Sequence, residues 1–589
     1  MIVADFEVFK YNWLVVFLDL QKREYTLIHD NKYELTKFYN DNKNDIYIGY
    51  NFKNYDKYIY QAILSNINPY LVSQHIVEYK LKGYDFTDLD NNKYPLYIFD
   101  CMNITDGGLK TLEGMLGNDI QETGVSFDID RPLTQKEIDM AFEYCIHDVE
   151  QTTIVSKYRF SKFQTYINLI NKFKLSLNAL SNTDAKMSEQ ILGAKEQQTS
   201  LDQFDISLPS ELKLDKYKYI ADWYLEETNH NYNKKLDVNV CGIQCIFAWG
   251  GLHGAKPKYI SDDECFYCMI DVTSLYPSIM IIYNLLSRSL SKEGKELYQQ
   301  IYYDRIKLKY GNDNDKQLSN AYKLILNVTY GAMKSVYNKM YDTLHANLVC
   351  IYGQLFILDL CEKLEQNLDC EFIQINTDGI LIKLDECDNN KMKKIIEEWE
   401  NRTKLKMDYT YFSKIIQKDV NNYIAISKDG SYKCKGAYVK KSNDLDYNLN
   451  IVKQAIKDFF INDILPEDTI NACDDLREFQ SIVKLTNKYK AMYHNNTELN
   501  GHVFRVFASN SVSDSSLYKS KDNNGVLRFE KVANTPQKAF ICNEDINDKS
   551  VNNKYLNKLD KSYYIQLAYD RISDFGYNHN NFGQLTFDL

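Results

Sequence analysis

The 589-residue sequence has little proline and little glycine, with 8 and 23 residues. Because these residues are enriched in turns and flexible linkers, their scarcity leaves little room for long disordered segments. The chain also lacks any run of 18 apolar residues, so no membrane-spanning helix is expected. The first residues, MIVADFEVFK, contain no basic segment typical of an export signal. We therefore expect a cytoplasmic protein without a membrane partner.

The sequence also lacks a cysteine pattern typical of disulfide-rich secreted proteins. Its 13 cysteines are scattered along a long chain, which favours a reducing compartment. One group, Cys241, Cys245, Cys265 and Cys268, could supply four thiolates to a structural zinc ion. However, Cys265 and Cys268 lie in a segment that alternates like a β-strand, where residues three apart face opposite sides. Zinc therefore remains the weaker interpretation.

An excess of positive charge is absent as well, since the net charge is −11. This balance argues mildly against a non-specific nucleic-acid binder, although local basic grooves and acidic active sites remain compatible with it. The length predicts roughly three to five domains. The abundance of tyrosine, asparagine, lysine and isoleucine is typical of an A+T-rich genome.

The residue pattern predicts several regular elements. Strands and helices alternate over about the first 150 residues, which indicates an α/β domain. Residues 371–384, EFIQINTDGILIKL, form two apolar strands around an Asp-Gly turn, which predicts a β-hairpin. Taken alone, that pattern is more typical of a plain turn than of a binding site. Further predictions are a strand, turn and helix over 44–64, a Thr-capped helix over 134–160, two helices over 290–340, a helix over 346–368, and helices and loops over 441–589.

Carboxylates in the first 150 residues follow an ordered pattern. Asp5 and Glu7 lie two apart on a predicted strand and therefore share a face. Asp56 closes the segment NFKNYD, and Tyr144 and Asp148 are four apart on a predicted helix. Individually, each acid is more often a solvated surface residue. Gathered together, four carboxylates would repel one another, and two Mg²⁺ ions would neutralise them and activate water.

These residues resemble the three exonuclease motifs of the proofreading domain of family B DNA polymerases. The resemblance implies a 3′–5′ exonuclease in which Tyr144 orients the attacking water. The lysine that protein-primed members add to this site has no obvious match before Arg131. The matching residues are Asp5-Phe6-Glu7, Asn51 to Tyr55-Asp56, and Tyr144 to Asp148, with Asp5, Glu7, Asp56 and Asp148 as the implied catalytic metal ligands.

A single-stranded DNA motif of the same family, (S/T)Lxx followed by a hydrophobic residue, matches TLEGM. The resemblance implies that Thr111 and Leu112 contact single-stranded DNA, together with Asn51 and Tyr55. The segment GLKTL, one turn earlier, is a rival alignment.

A second motif, DVTSLYPS, begins at Asp271 and resembles polymerase motif A of family B. The resemblance implies that Asp271 and the carbonyl of Val272 bind the catalytic metals. It also implies that Ser274, Leu275 and Tyr276 contact the nucleotide, with Tyr276 excluding a 2′-hydroxyl. The alternative interpretation is an apolar core strand followed by a Pro turn.

Motif B of the family resembles KLILNVTYG, in which Lys323, Asn327 and Tyr330 recur at helical spacing. The resemblance implies that Lys323 binds the triphosphate and that Asn327 and Tyr330 contact the nascent base pair. Because the family pairs an Arg of the preceding helix with this Lys, the resemblance favours Arg305 as the partner of Lys323. Lys307 and Lys309 are explained at least as well as a solvated face.

The predicted hairpin resembles motif C, which usually contains Asp-Thr-Asp. Asp378 takes the place of the second Asp, a catalytic metal ligand, and Asn376 replaces the first. An amide carbonyl ligates Mg²⁺ weakly and adds no charge. We expect reduced negative charge in the palm and no loss of catalysis.

Other residues are candidates for contact with the DNA backbone. Tyr423 lies where the family often has KxY, but the Lys position is Asn421. The segments KCKGAYVKK and IVKLTNKYK, the latter with Arg505, are locally basic and could follow phosphates, although each alone is more typical of a solvated face. The proposed contacts are Gly250 and Gly251 in a Gly-rich joint, Thr377, Tyr423, Lys435 and Lys488.

The resemblance implies a multidomain α/β and α+β protein, with an RNase H-like exonuclease domain and a palm, fingers and thumb. It implies a template-directed DNA polymerase with proofreading, two Mg²⁺ ions per active site and Mn²⁺ as an alternative. Expected partners are primer–template DNA, dNTPs, single-stranded DNA and replication accessory proteins, around a monomer. The expected domains are 1–160 exonuclease, 161–240 helical connector, 241–285 palm, 286–335 fingers, 336–441 palm, and 442–589 thumb and C-terminal tail.

Compact size and A+T bias suggest the genome of a bacteriophage or mobile element, and therefore a host bacterial cytoplasm. Protein-primed members of the family carry an insertion between motifs A and B. Only 44 residues separate Ser278 from Lys323 here, so we do not expect a protein-primed enzyme. Two other function classes stay open. One is a DNA-binding exonuclease with a weakened polymerase site, motivated by Asn376 and Asn421. The other is a non-catalytic replication scaffold, against which the intact acids argue.

Overall fold

The computed structural model describes residues 1–103, 105–198, 201–261, 265–523 and 526–577. The strands are β1 (Ile2–Val8), β2 (Trp13–Asp19), β3 (Glu24–His29), β4 (Ile46–Gly49), β5 (Tyr97–Asp100), β6 (Lys235–Val240), β7 (Ile243–Ala248), β8 (Gly251–Ala255), β9 (Tyr259–Ile260), β10 (Tyr267–Val272), β11 (Cys370–Asn376), β12 (Gly379–Leu384), β13 (Met407–Phe412), β14 (Lys414–Asp419), β15 (Asn422–Ile426), β16 (Tyr432–Lys435), β17 (Ser481–Lys484), β18 (Ala491–His494), β19 (Thr497–Leu499), β20 (Val503–Ala508), β21 (Tyr518–Asn523), β22 (Val526–Lys531) and β23 (Ala539–Ile541).

The helices are α1 (Lys32–Asn42), α2 (Asp56–Leu64), α3 (Pro69–Val77), α4 (Leu109–Leu116), α5 (Gln135–Tyr158), α6 (Phe160–Phe173), α7 (Asp184–Leu192), α8 (Lys218–Leu225), α9 (Leu275–Ile282), α10 (Lys292–Leu308), α11 (Asp313–Met333), α12 (Thr343–Asn367), α13 (Asn389–Thr403), α14 (Asn450–Asn462), α15 (Pro466–Ala472), α16 (Lys549–Leu556) and α17 (Lys561–Asp574).

The chain divides into two compact units, and the C-terminal part of the sequence contributes to both. Unit 1 contains residues 1–182, 443–451 and 471–564. Unit 2 contains residues 183–442, 452–470 and the chain from 565 onward, of which 578–589 lie outside the described residues. The predicted exonuclease, palm, fingers and thumb boundaries stay predictions.

Unit 1 is built on a five-stranded sheet with the order β3-β2-β1-β4-β5. The first three strands are antiparallel, and β4 and β5 run parallel to β1. Alternation along β1 places Ala4 and Phe6 in one apolar core and Val3 in the core that contains α5. Asp5 and Glu7 are two and four residues after Val3 on the strand and therefore point to the same face. Both carboxylates thus lie on the side of the sheet covered by α5. The α/β prediction for this region is confirmed.

Local signals positioned α5 correctly. Thr134 accepts a hydrogen bond from the backbone of Glu137, whose side chain accepts one from Thr134 in return, so a capping box starts the helix. The predicted Thr cap is confirmed.

Helices and loops are predicted for the segment 441–589. This prediction is wrong for residues 481–541. Two antiparallel sheets lie there, with the orders β17-β20-β23 and β19-β18-β21-β22. Several of these strands are short and rich in lysine, asparagine and serine, as in YKSKDN of β21. Strands β17, β18, β19 and β23 contain only three or four residues each, so no apolar alternation is long enough to detect.

Arg505 on β20 ties this second part of unit 1 to α4. Its side chain is fully buried and donates hydrogen bonds to the carbonyls of Gly114, Asn118, Cys542 and Glu544. Burial lowers the pKa of the guanidinium to about 10. Two of the four carbonyls lie at the end of α4, where the helix leaves acceptors without partners and favours a cation. The interpretation of Arg505 as part of a basic surface is therefore wrong.

Unit 2 is built on a seven-stranded antiparallel sheet with the order β13-β10-β12-β11-β8-β7-β6. The predicted hairpin over 371–384 is confirmed as β11 and β12. Helix α12 contacts β8, β11 and β12 of this sheet. It is long and apolar enough to cross a membrane, but 89% of its most apolar window is buried inside the protein, as in a core helix.

Two further elements complete the described part of unit 2. Helices α10 and α11 form the predicted helical pair, and Asn312 starts α11 with a capping box to Asp315. A four-stranded antiparallel sheet has the order β16-β15-β14-β9. The helical pair and this sheet supply most of the cations near the acids of the larger sheet.

Replacing Arg505 by Met should destabilise unit 1 by roughly 3 kcal/mol or more, because several buried carbonyls would lose their donors. Thermal unfolding of the full chain measures this loss. Arg505→Lys should recover little stability, since one ammonium cannot reproduce the guanidinium fork. Arg528→Met on the exposed strand β22 is the matched control, and equal stability of both Met variants would contradict the anchoring role.

Candidate active sites

Four carboxylates of unit 1 gather between β1, α2 and α5. Asp5 and Glu7 lie side by side on β1, Asp56 begins α2, and Asp148 lies on α5. Asp56 is fixed by the backbone N–H of Phe6, which donates to its Oδ1 at 3.2 Å. The structure thus brings together all four of the predicted exonuclease acids.

The electrostatics of this cluster show that the carboxylates crowd one another. Burial raises the pKa of Asp5 to about 8, and the charge of the neighbouring Asp148 is the next cause. Burial also raises the pKa of Glu7 and of Asp56, with Asp5 as the next cause in both cases. A bound cation would favour the ionised form of each carboxyl group. A buried cluster of carboxyl groups with raised pKa values is therefore a suitable binding site for cations.

Lys110 on α4 is the cation that the chain itself supplies. Its Nζ donates to Asp148 Oδ1 at 2.6 Å and lies 4.3 Å from the centre of the Tyr144 ring. The Lys110 charge lowers the pKa of Asp5 and of Glu7, against the larger effect of burial. Sequence reasoning missed this residue, although the rival segment GLKTL contains it.

Glu113 and His147 lie behind Lys110 and are both buried. Glu113 Oε1 is 3.5 Å from Lys110 Nζ, and Glu113 Oε2 is 3.5 Å from His147 Nε2. Among the described residues, neither Glu113 Oε2 nor His147 Nε2 has a partner that meets hydrogen-bond geometry. Through the contact of its Oε1 with Lys110 Nζ, Glu113 helps to hold the ammonium of Lys110 in place.

The predicted single-stranded DNA contacts occupy two neighbouring segments. Asn51 has a left-handed φ of 64°, and its backbone N–H donates to Asp100 Oδ1. Sequence reasoning did not identify Asp100. The Tyr55 hydroxyl lies 2.9 Å from that of Ser73. On α4, Leu112 is buried in the core of unit 1, and Thr111 precedes it. Their roles in DNA binding stay predictions.

In unit 2, two predicted metal ligands meet on neighbouring strands. Asp271 on β10 pairs with Gly379, the residue after Asp378, and the N–H of Val272 donates to the Asp378 carbonyl at 2.7 Å. A Cβ on Gly379 would collide with Asp271 Oδ1 and with the Ile270 carbonyl oxygen, so glycine is needed for this close approach. Burial raises the pKa of Asp271 to about 6, and the charge of Asp378 is the next cause.

A cavity of about 550 Å³ opens beside Asp378. It brings together most of the residues predicted to bind the nucleotide, with Gly250 and Thr377 of the proposed DNA contacts. Sequence reasoning assigned no role to four of its residues, His253, Thr273, Pro277 and Asp408, and left that of Lys309 open. The predicted residues that line it are Gly250, Val272, Ser274, Leu275, Tyr276, Arg305, Lys323, Asn327, Thr377 and Asp378.

Contacts among these residues fix their positions. Arg305 Nη1 donates to Ser274 Oγ at 3.0 Å, and Ser274 has a left-handed φ of 52° at the start of α9. Such backbone strain in a non-glycine residue often marks a functional site. The rings of Tyr276 and Tyr330 lie 4.3 Å apart, which places Tyr330 directly behind Tyr276. The Thr377 hydroxyl donates to the Leu252 carbonyl, next to Gly251.

Asp378 also lines a smaller cavity of about 200 Å³. Asp271, Asp378 and Asn376 line it together with Tyr423 and the ammonium-bearing residues Lys433 and Lys435. Burial raises the pKa of Tyr423 to about 12, and the charges of Asp271 and Asp378 are the next causes. This cavity therefore contains acids on one sheet and lysines on another.

Two residues of the predicted DNA surface lie outside these clusters. Lys488 is exposed between β17 and β18 of unit 1, with its ammonium 5.2 Å from the centre of the Tyr489 ring. Asn421 lies in the turn between β14 and β15, where its N–H donates to Asp419. No role in DNA binding follows from either position, and that of Lys488 stays a prediction.

Comparison with solved structures finds similar chains. No protein-family model matches the chain, and no curated protein matches it. The chain is similar to the family B DNA polymerase from the hyperthermophilic archaeon Pyrobaculum calidifontis, with a TM-score of 0.41 and 13% identity. The likeness covers 99% of this chain and 78% of that one. At this identity and TM-score it carries no argument about activity, and membership of the family stays a prediction.

Proposed function

We propose that the protein is a template-directed DNA polymerase that extends a primer 3′ end with dNTPs and carries a 3′–5′ proofreading exonuclease. One observation carries the proposal. Asp378, at the tip of the β11–β12 hairpin and beside Asp271, lines a cavity together with Arg305 and Lys323. Carboxylates on one wall and cations on another suit a nucleotide triphosphate whose phosphates bridge metal ions and basic side chains.

The shape and lining of the cavity support a nucleotide. Its volume of about 550 Å³ is within the usual range for small-molecule sites. Lys323 and Asn327 lie one helical turn apart on α11, and Arg305 approaches from α10. Lys323 and Arg305 would hold the phosphates, and Tyr276, backed by Tyr330, would lie beneath the sugar and exclude a 2′-hydroxyl.

The acids of both sites fit divalent cations. Carboxylate oxygens are the preferred ligands of Mg²⁺, and the raised pKa values of Asp5 and Asp271 follow from burial and neighbouring carboxylates. Two Mg²⁺ ions per site, or Mn²⁺, when bound activate the attacking oxygen and stabilise the leaving oxygen. The proposed ligands are Asp271, Asp378 and the Val272 carbonyl in unit 2, and Asp5, Glu7, Asp56 and Asp148 in unit 1.

In the proposed nuclease site, Tyr144 would orient the attacking water and Lys110 would hold Asp148. Asn51, Tyr55 and Thr111 would place the frayed 3′ end. We further propose that the protein replicates a phage or mobile-element genome as a monomer in a bacterial cytoplasm, with accessory proteins. Compact size and A+T-biased residue usage support the proposed genome and host.

A second candidate function is a DNA-binding exonuclease whose polymerase site is weakened. Asn376 favours it, because the amide adds no charge beside Asp271 and Asp378. A primer-extension assay with labelled primer and Mg²⁺, run with and without dNTPs, separates the two. Lengthening of the primer supports the polymerase, and shortening alone supports the nuclease. A primer of unchanged length under both conditions supports a non-catalytic scaffold.

Asp378→Ala should lower primer extension by at least roughly a hundredfold, because the triphosphate site loses a metal ligand. Exonuclease activity should be unchanged, since its acids belong to unit 1. Gel analysis of extended primers measures the loss. Asp237→Ala, an exposed acid on strand β6, is the control, and persistent extension by Asp378→Ala would refute the palm assignment.

Asp5→Ala should have the reverse effect, with 3′ degradation reduced by at least roughly a hundredfold and extension retained. The measurement is shortening of a labelled single strand in the absence of dNTPs. Asp41→Ala, an exposed acid of unit 1, serves as the control. If degradation continued in Asp5→Ala, the nuclease site would have to lie elsewhere.

Lys110→Met should weaken the nuclease roughly tenfold or more, since the change removes the partner of Asp148 and further raises the pKa of Asp5 and Glu7. A higher Mg²⁺ concentration should be required for half-maximal degradation. Lys110→Arg should restore part of the activity. The exposed Lys136→Met is the control, and an unchanged Mg²⁺ requirement in Lys110→Met would contradict this role.

A further inference from the structure

Three side-chain amides form a continuous hydrogen-bonded chain beneath the proposed palm site. Asn376 Nδ2 donates to Gln374 Oε1 at 3.0 Å, and Gln374 Nε2 donates to Gln417 Oε1. Gln417 Nε2 in turn donates to the main-chain carbonyl of Lys256 at 2.6 Å. Both glutamines are fully buried. We name Asn376, Gln374 and Gln417 the amide chain.

The direction of the amide chain is set at one end by a group that cannot be reversed. The Lys256 carbonyl only accepts, so Gln417 must present its NH₂ group there and its oxygen to Gln374. Gln374 must then present its NH₂ group to Gln417 and its oxygen to residue 376. Residue 376 is therefore required to donate, which asparagine does and an ionised aspartate cannot do.

The amide chain joins the two sheets that form the smaller cavity. Asn376 and Gln374 lie on β11 of the seven-stranded sheet, and Gln417 lies on β14 of the four-stranded sheet. The first sheet carries Asp271, and the second carries Lys435. A buried link between the sheets thus fixes the acids relative to the lysines.

We infer that Gln374 and Gln417 are positioning residues: their amide contact braces the lysine-bearing sheet against the carboxylate-bearing sheet, and Gln374 holds the amide of Asn376. The inference rests on the proposed polymerase function for its catalytic consequence. Asn376 is then a required part of the palm and not a weakened form of an aspartate. Introducing aspartate would set a carboxylate against Gln374 Oε1 and break the contact between residue 376 and Gln374.

The test is a double-mutant cycle in the full chain, with kcat and the KM for dNTP measured by primer extension. Gln417→Met should lower kcat about tenfold, as loss of an outer positioning residue does, with the KM for dNTP changed less than about twofold. In the Gln374→Met background, Gln417→Met should have no further effect. Gln366→Met on the exposed face of α12 is the matched control.

A second pair of variants guards against simple misfolding. Asn376→Asp should lower kcat, and adding Gln374→Met should cause a smaller loss than it does in the wild-type background, because the opposed oxygen is removed. Exonuclease activity should stay unchanged in all variants. Additive losses in the cycle, wild-type kcat in Gln417→Met, or a higher kcat in Asn376→Asp would each overturn the inference.

Failure of the proposed function is distinguishable from failure of this inference. If the wild-type chain does not extend primers, the polymerase proposal fails. The amide chain is then measured by thermal unfolding, where the losses from Gln417→Met and Gln374→Met should again be non-additive. Additive losses in unfolding would overturn the link itself.

Discussion

Repulsion between carboxylates held close together is the constraint on which both sites of this protein depend. In unit 1, Asp5 has a pKa raised to about 8 by burial and by Asp148. In unit 2, burial and the charge of Asp378 raise the pKa of Asp271 to about 6. Positive charge nearby offsets this repulsion, and each unit places lysines there. Lys110 serves one site, and Lys433 and Lys435 line the other.

The two units bring their acids together by different backbone routes. In unit 1, one strand supplies two carboxylates to the face under α5, and a helix start adds a third. In unit 2, the close pairing of β10 with β12 brings Asp271 to the hairpin tip, and Gly379 permits that approach. The same requirement for clustered acids is thus met by a helix-covered mixed sheet and by an antiparallel hairpin.

Buried polar groups away from the acids hold the surrounding elements in place. Arg505 anchors the end of α4, the helix that carries Lys110 toward Asp148. The amide chain links the sheet bearing Asp271 to the sheet bearing Lys435. Because an unpaired buried polar group is costly, each such network specifies one arrangement of its elements. Both networks therefore connect distant parts of the sequence to a candidate site.

The sequence by itself determined the local elements and the order of the acids. The hairpin around Asp378, the capped helix α5 and the pair α10 and α11 follow from short-range periodicity and capping residues. Only the tertiary structure decided which distant residue faces each acid, as with Lys110, or supports its helix, as with Arg505. It also decided that Asn376 must donate to Gln374, and that the polar segments after 480 form strands. The physical reason is that periodicity specifies the face on which a side chain lies, whereas its partner is set by packing between segments far apart in the chain.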